Sequence, residues 1–148
     1  MIAVVQRVLS ANVKVGGEIV GQIDHGMLAL VAAEKGDTGS SVKWMANRLT
    51  GLRIFEDAEG KMNLDCAQVG GNALLVSNFT VAGDASGGRR PSFTKAAAYD
   101  DGKKLFDLLV DEMRATHPAL QTGRYGEEMA VELVNDGPIT LIVETPHG

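Results

Sequence analysis

The chain has 148 residues, of which 45% are apolar and 22% charged, with a net charge of −5. These proportions exclude a disordered chain and a broadly basic nucleic-acid surface, so any RNA contact has to be local. No apolar run approaches the ~20 residues of a membrane helix, the N-terminus lacks the regions of a secretion signal, and the single Cys66 fits a reducing, cytoplasmic compartment as a buried structural thiol.

In chain order, Ile2 to Val8 reads as a strand. Val13 to Val15 and Glu18 to Ile23 flank Gly16-Gly17, a two-residue hairpin signal. Met27 to Ala33 is an apolar run short enough for a buried strand. Asp37 can cap a helix whose inner face is Val42, Met45, Ala46 and Leu49, with Trp44 packing beside it. Arg53-Ile54-Phe55 is a short strand before the turn Asp57-Ala58-Glu59-Gly60, and Ala73 to Ser77 is another buried strand. Leu105, Phe106, Leu109 and Met113 form the stripe of a second helix, Tyr99 to Thr116, stopped at His117-Pro118. Met129 to Val134 and Ile139 to Val143 read as two strands joined by the turn Asn135-Asp136-Gly137-Pro138.

Roughly eight strands and two helices result, in one domain over 1-148. Two helices cannot cover both faces of a parallel sheet. The expected class is α/β of the α+β type: a mostly antiparallel curled sheet or small β-barrel with two main helices packed on it.

Familiar catalytic motifs are missing. There is no P-loop, dinucleotide fingerprint, metalloprotease helix or nucleophile elbow. His25, His117 and His147 are scattered and read as solvated loop residues, so no metal is expected. Asp100, Asp101, Asp107, Asp111 and Glu112 read as a solvated helix face.

Three segments stand out. Ser77-Asn78-Phe79-Thr80 puts hydroxyls and an amide at the end of a buried strand, where open sheets present polar groups to ligands, although strand-end turn chemistry produces the same pattern. Gly87-Gly88-Arg89-Arg90-Pro91-Ser92-Phe93 joins flexible glycines to two phosphate-binding arginines and an aromatic; a solvated charged loop is the alternative. Asn135-Asp136-Gly137-Pro138 is an ordinary turn or a special one, because proline there removes a ladder donor and permits a cis bond.

Taken in order, these segments resemble the D-aminoacyl-tRNA deacylase (D-tyrosyl-tRNA(Tyr) deacylase) family over essentially the whole chain. The similarity runs from Met1-Ile2-Ala3-Val4-Val5-Gln6-Arg7-Val8 through Arg53-Ile54-Phe55 and Asp57-Ala58-Glu59-Gly60-Lys61-Met62-Asn63-Leu64. It continues in Arg90-Pro91-Ser92-Phe93, Gln121-Thr122-Gly123-Arg124-Tyr125-Gly126 and Asn135-Asp136-Gly137-Pro138-Ile139-Thr140. One departure is Asn78, where the family usually has glutamine.

The resemblance implies hydrolysis of the ester in D-aminoacyl-tRNA, and of glycyl-tRNA mischarged on tRNA(Ala), as proofreading of translation. It implies a homodimer with active sites at the interface, and no metal or organic cofactor. Ser77, Asn78, Phe79 and Thr80 are the expected catalytic residues: the N–H groups of Asn78, Phe79 and Thr80 as donors to the carbonyl oxygen, with Ser77 and Thr80 positioning the ester. Arg7, Phe93, Tyr125, Met129, Asn135, Gly137 and Pro138 are the expected substrate-binding residues, with Tyr125 and Met129 at the adenosine and Arg7 supporting the partner's loop. Arg89 and Arg90, with Lys95, Lys103 and Lys104, form the expected tRNA-phosphate patch. The Gly137–Pro138 bond is expected to be cis and to reach across the dimer near Ser77 to Thr80 as a backbone wall against L side chains. A Thr80 or Ser77 nucleophile esterase and a non-catalytic RNA- or metabolite-binding module are the rival classes.

Overall fold

The computed structural model describes residues 1–146. Its elements are β1 (Ile2–Val15), β2 (Glu18–Ile23), β3 (Gly26–Ala32), α1 (Gly39–Gly51), β4 (Phe55–Glu56), β5 (Met62–Leu64), β6 (Asn72–Ser77), α2 (Tyr99–Arg114), β7 (Gln121–Thr122) and β8 (Ala130–Glu144). A short 3-10 turn, Phe79–Ala82, follows β6.

The Gly16-Gly17 hairpin is present. Both glycines have positive φ, 57° and 83°, as a tight turn between twisted strands requires. The two strand segments expected at the N-terminus are one 14-residue strand. β1 pairs with β3 through Ile2 to Val8, with β2 through Ala11 to Val15, and with β8 along nearly its whole length.

The main sheet runs β2-β1-β3-β6-β7, with β8 on the other side of β1. The curled sheet carrying two helices is as expected, but the β3–β6 and β6–β7 pairings are parallel. Each parallel step is bridged by one helix, since parallel neighbours need a crossover. Two helices suffice because the far face is covered by the sheet itself. Gly21 of β2 lies against Thr122 of β7 and Leu74 of β6, where any Cβ would collide.

Alternation sorts the strands between two cores. Met27, Ala29 and Val31 of β3 and Ala73 and Leu75 of β6 face Val42, Met45 and Leu49 of α1 and Phe106, Leu109 and Met113 of α2. Leu28, Leu74 and Val76 point the other way, into the curl, with Val8, Val13 and Ile23. Strands buried on both faces read as unbroken apolar runs. Burying one such Leu or Met stabilises the fold by about 1.5–3 kcal/mol.

The tail is where the expected hairpin fails: the chain never reverses there. Ala130 to Glu144 is one strand, with Ala130 to Asn135 beside Val8 to Lys14 and Thr140 to Glu144 beside Ile2 to Gln6. Asp136 to Ile139 bulge out between these stretches, opposite Arg7. The cap of α1 is also displaced by one residue. Thr38 caps through its side chain to the Ser40 N–H, while Asp37 bonds Glu34 N–H and the Met1 amino group. No helix among the described residues is long and apolar enough to cross a membrane.

Candidate active site

The sheet register places Ser77 beside Val31 and, one strand further, Ala3. At that end of the strands a cavity of about 530 Å³ opens. Its walls are Ser77, Asn78 and Phe79, the first turns of α2 (Tyr99, Gly102, Phe106) and the strap Tyr125 to Val131, with Met1 and Ala33 also lining it.

The strand-end turn is built by its own polar groups. The Asn78 N–H donates to the Val31 carbonyl at 2.8 Å, which prolongs the β3–β6 ladder. The Asn78 Oδ1 accepts from the Thr80 N–H at 3.2 Å and the Thr80 hydroxyl at 2.5 Å. Asn78 is thus the N-cap of the turn, a position that suits its short side chain. Two of the expected donors, the N–H groups of Asn78 and Thr80, are therefore engaged within the chain. The Phe79 N–H has no partner among the described residues. The Thr80 hydroxyl faces an amide oxygen, not a base.

The opposite wall is held by two tyrosines seated on two glycines. A Cβ on Gly102 would meet the Tyr125 hydroxyl at 2.5 Å, and one on Gly126 would collide with the Tyr99 ring. The rings meet edge to face, centroids 5.1 Å apart, and the Tyr125 hydroxyl donates to the Tyr99 carbonyl at 3.3 Å. Burial pushes the Tyr125 phenol above its ordinary pKa, so it remains a donor. The cleft offers an apolar, aromatic wall for a flat ring and a polar rim at the strand end.

Phe93 lies outside this lining but braces it. Its ring packs edge to face on Phe79 at 5.4 Å and occupies the space a Gly83 side chain would need. The loop between them is closed by paired backbone bonds of Asp84 and Ser92, 2.7 and 2.8 Å, leaving Arg89 and Arg90 exposed at its tip.

Arg7, Asn135, Gly137 and Pro138 form a second structure, four residues along the strands from the Ser77 level, roughly 13 Å. Arg7 is buried. Its Nε donates to the Asp136 carbonyl at 3.2 Å and pairs with the Asp136 carboxylate at 3.3 Å, while Nη1 donates to the Ile54 carbonyl at 2.8 Å. The Asn135 amide closes the base of the bulge. Its Oδ1 accepts from the Ile139 N–H at 2.9 Å, and its Nδ2 donates to Gln6 Oε1 and the Ile139 carbonyl, both at 3.0 Å. The Gly137–Pro138 bond is cis, and Gly137 has φ 143°, where a side chain would meet Ile139. Within one chain, this bulge and the cleft do not meet.

The sequence profile of the family described as D-Tyr-tRNA(Tyr) deacylase matches residues 4–144. The D-aminoacyl-tRNA deacylase of Methylococcus capsulatus is 52% identical over 99% of this chain and 95% of its own length. That of Geobacter metallireducens is 51% identical over 99% of this chain and 97% of its own. This chain belongs to the D-Tyr-tRNA(Tyr) deacylase family. Among solved structures, one titled c-Myc DNA Unwinding Element Binding Protein superposes with a TM-score of 0.94 at 32% identity, covering 99% of this chain and 100% of the other. A probable eukaryotic D-amino acid tRNA deacylase shares the fold, with a TM-score of 0.82 at 15% identity over 96% of this chain and 97% of its own.

As a member of this deacylase family the chain is a hydrolase. Several residues of its cleft escaped the sequence reading: Met1, Tyr99, Gly102 and Phe106. The one signal available was Gly102, a glycine inside a helical pattern, which costs about 1 kcal/mol against alanine and so asks for a packing reason. Lys103, expected in the phosphate patch, pairs with Asp107 at 2.9 Å on a helix that exposes five carboxylates. One histidine expectation is corrected. His117 is not solvated: it is buried at the end of α2, and desolvation lowers its pKa below the ordinary value. His25 is exposed against Phe55, and His147 lies outside the described residues. Cys66 is buried, with its thiol pushed up to about 12 by desolvation. No three His, Cys, Asp or Glu side chains cluster as metal ligands among the described residues.

Proposed function

We propose that this deacylase hydrolyses the ester joining a D-amino acid to the 3′ adenosine of tRNA, in the cytoplasm, releasing tRNA and the free amino acid. The observation that carries the proposal is the unpartnered Phe79 N–H beside an apolar cleft whose strand-end rim has no acid–base pair. An aminoacyl ester is already activated, so it needs little beyond a polarised carbonyl. One preorganised N–H aimed at the carbonyl oxygen contributes about 3–4 kcal/mol to the barrier reduction. Water attacks the carbonyl carbon, assisted by the substrate's own 2′-hydroxyl, and the 3′ oxygen leaves with a proton. Tyr125 and Met129 hold the adenosine. Ser77 and Thr80 position the ester, and Arg89 and Arg90 hold phosphate.

Selectivity comes from a second copy. β8 is an edge strand with Val134, Leu141 and Ile142 exposed, and a long apolar edge calls for a partner. In a two-fold dimer, the Gly137-Pro138 bulge of one subunit reaches the Ser77 to Thr80 rim of the other. Its backbone occupies the place an L side chain would take. Glycine has nothing to exclude, so glycyl-tRNA is hydrolysed too.

A deacylation assay on D-, L- and glycyl-tRNA tests this. D-aminoacyl- and glycyl-tRNA should be hydrolysed and L-aminoacyl-tRNA spared; equal rates for D and L forms refute the wall. Thr80→Ala should keep measurable activity. A loss on the order of 10⁴-fold with an ester trapped on Thr80 points instead to nucleophilic catalysis.

A further inference from the structure

The two helices lie side by side but carry opposite charge. α2 exposes Asp100, Asp101, Asp107, Asp111 and Glu112 against Lys103, Lys104 and Arg114, five acids to three cations. Residues 38–53, which span α1 and its C-terminal turn, contain Lys43, Arg48 and Arg53 and no acid. All three cations are exposed, and none forms an ion pair among the described residues. The Arg48 guanidinium lies over the half-buried Trp44 ring at 4.5 Å, which presents it as a flat, oriented cation.

This face is joined to the cleft. Segment 33–35 runs antiparallel to 95–97: Ala97 N–H donates to the Ala33 carbonyl at 3.0 Å, and Lys35 N–H to the Lys95 carbonyl at 2.9 Å. Ala33 and Ala97 line the cleft. Lys35 and Lys95 line the adjoining groove together with Glu144, the α1 cap Thr38 and Ser41 of α1, and the carboxylates of Glu34 and Asp37 in that groove turn to the Met1 amino group. α1 then extends about 20 Å further.

We propose that the outer face of α1 is a docking surface for the acceptor-stem duplex of the substrate RNA, with Lys43, Arg48 and Arg53 each facing a backbone phosphate. The proposal rests on the tRNA substrate proposed above. A net charge of −5 repels RNA as a whole. One cationic helix beside an anionic one therefore fixes which way the stem leaves the cleft, because the wrong orientation sets phosphates against the carboxylates of α2. These contacts read shape and charge, not sequence.

The test compares D-aminoacyl-tRNA with a D-aminoacyl ester of adenosine, which has no stem. In Lys43→Glu/Arg48→Glu/Arg53→Glu, KM for the tRNA should rise by about tenfold or more, and the slope of log K against log salt should flatten by roughly 2–3. Turnover of the adenosine ester should be unchanged. Lys43→Gln/Arg53→Gln leaves the Arg48–Trp44 stack intact and should show the same selective loss, smaller, if the triple variant folds poorly. Equal changes for both substrates, or an unaltered salt slope, overturn the proposal. Wild-type protein that hydrolyses neither substrate refutes the tRNA reading itself, and the docking surface falls with it.

Discussion

The strand-end cleft and the Asn135 to Ile139 bulge use polar groups in opposite ways. At the cleft, Asn78 and Thr80 satisfy one another, and the Phe79 N–H is left without a partner among the described residues. At the bulge, Arg7 and Asn135 direct their donors inward, onto the bulge itself, so that a backbone projection stands braced from behind. One region is concave and offers a donor; the other is convex and offers bulk. Gly137 and Pro138 of this braced element are exposed, as the dimer proposed above requires. The two regions should therefore fail in different ways.

The largest effect is expected from Arg7→Ala. It leaves the buried Ile54 carbonyl unsatisfied and the part-exposed Asp136 carboxylate unpaired, which should cost about 2–3 kcal/mol of stability in a denaturant melt. With the brace gone, the ratio of L- to D-aminoacyl-tRNA hydrolysis should rise while the cleft stays formed. Loss of stability with selectivity intact would mean that the bulge is no wall.

Gly102→Ala strikes the cleft alone. Helix propensity should gain up to about 1 kcal/mol, yet the new methyl group displaces the Tyr125 hydroxyl. KM should rise roughly tenfold, or 1.4 kcal/mol, with the L/D ratio unmoved. An unchanged KM would remove Tyr125 from the substrate's binding wall.

The smallest effect belongs to His117, remote from both regions. Its folded pKa is depressed by burial, so the unfolded chain takes up the proton first and stability drains away as pH falls below 6.5. The melting temperature should decline between pH 7 and pH 5, and less so in His117→Gln. Selectivity should not change over that range. A coupled change in the L/D ratio would blur the separation of the two regions.

Much of this arrangement was legible in the sequence because its periods are strong. The stripes of α1 and α2 are buried as their spacing indicates, and the Gly16-Gly17 turn is where two glycines must be. The tail misled because Asn-Asp-Gly-Pro is also good hairpin chemistry. Whether such a turn reverses the chain or bulges from a continuing strand depends on what lies opposite, and here β1 offers one unbroken 14-residue partner to both halves.

By itself, then, the sequence determined the elements, the family and the segments worth inspecting, since these follow from local period and ordered motifs. Only the tertiary structure decided which polar groups remain free. The Asn78 N–H looks as available as that of Phe79 until the Val31 carbonyl is seen to take it. His117 looks solvated until the end of α2 is packed over it. Hydrogen-bond partners four or fewer residues apart can be guessed from spacing. Those set by strand register and helix packing cannot, because they depend on which distant segments the fold makes neighbours.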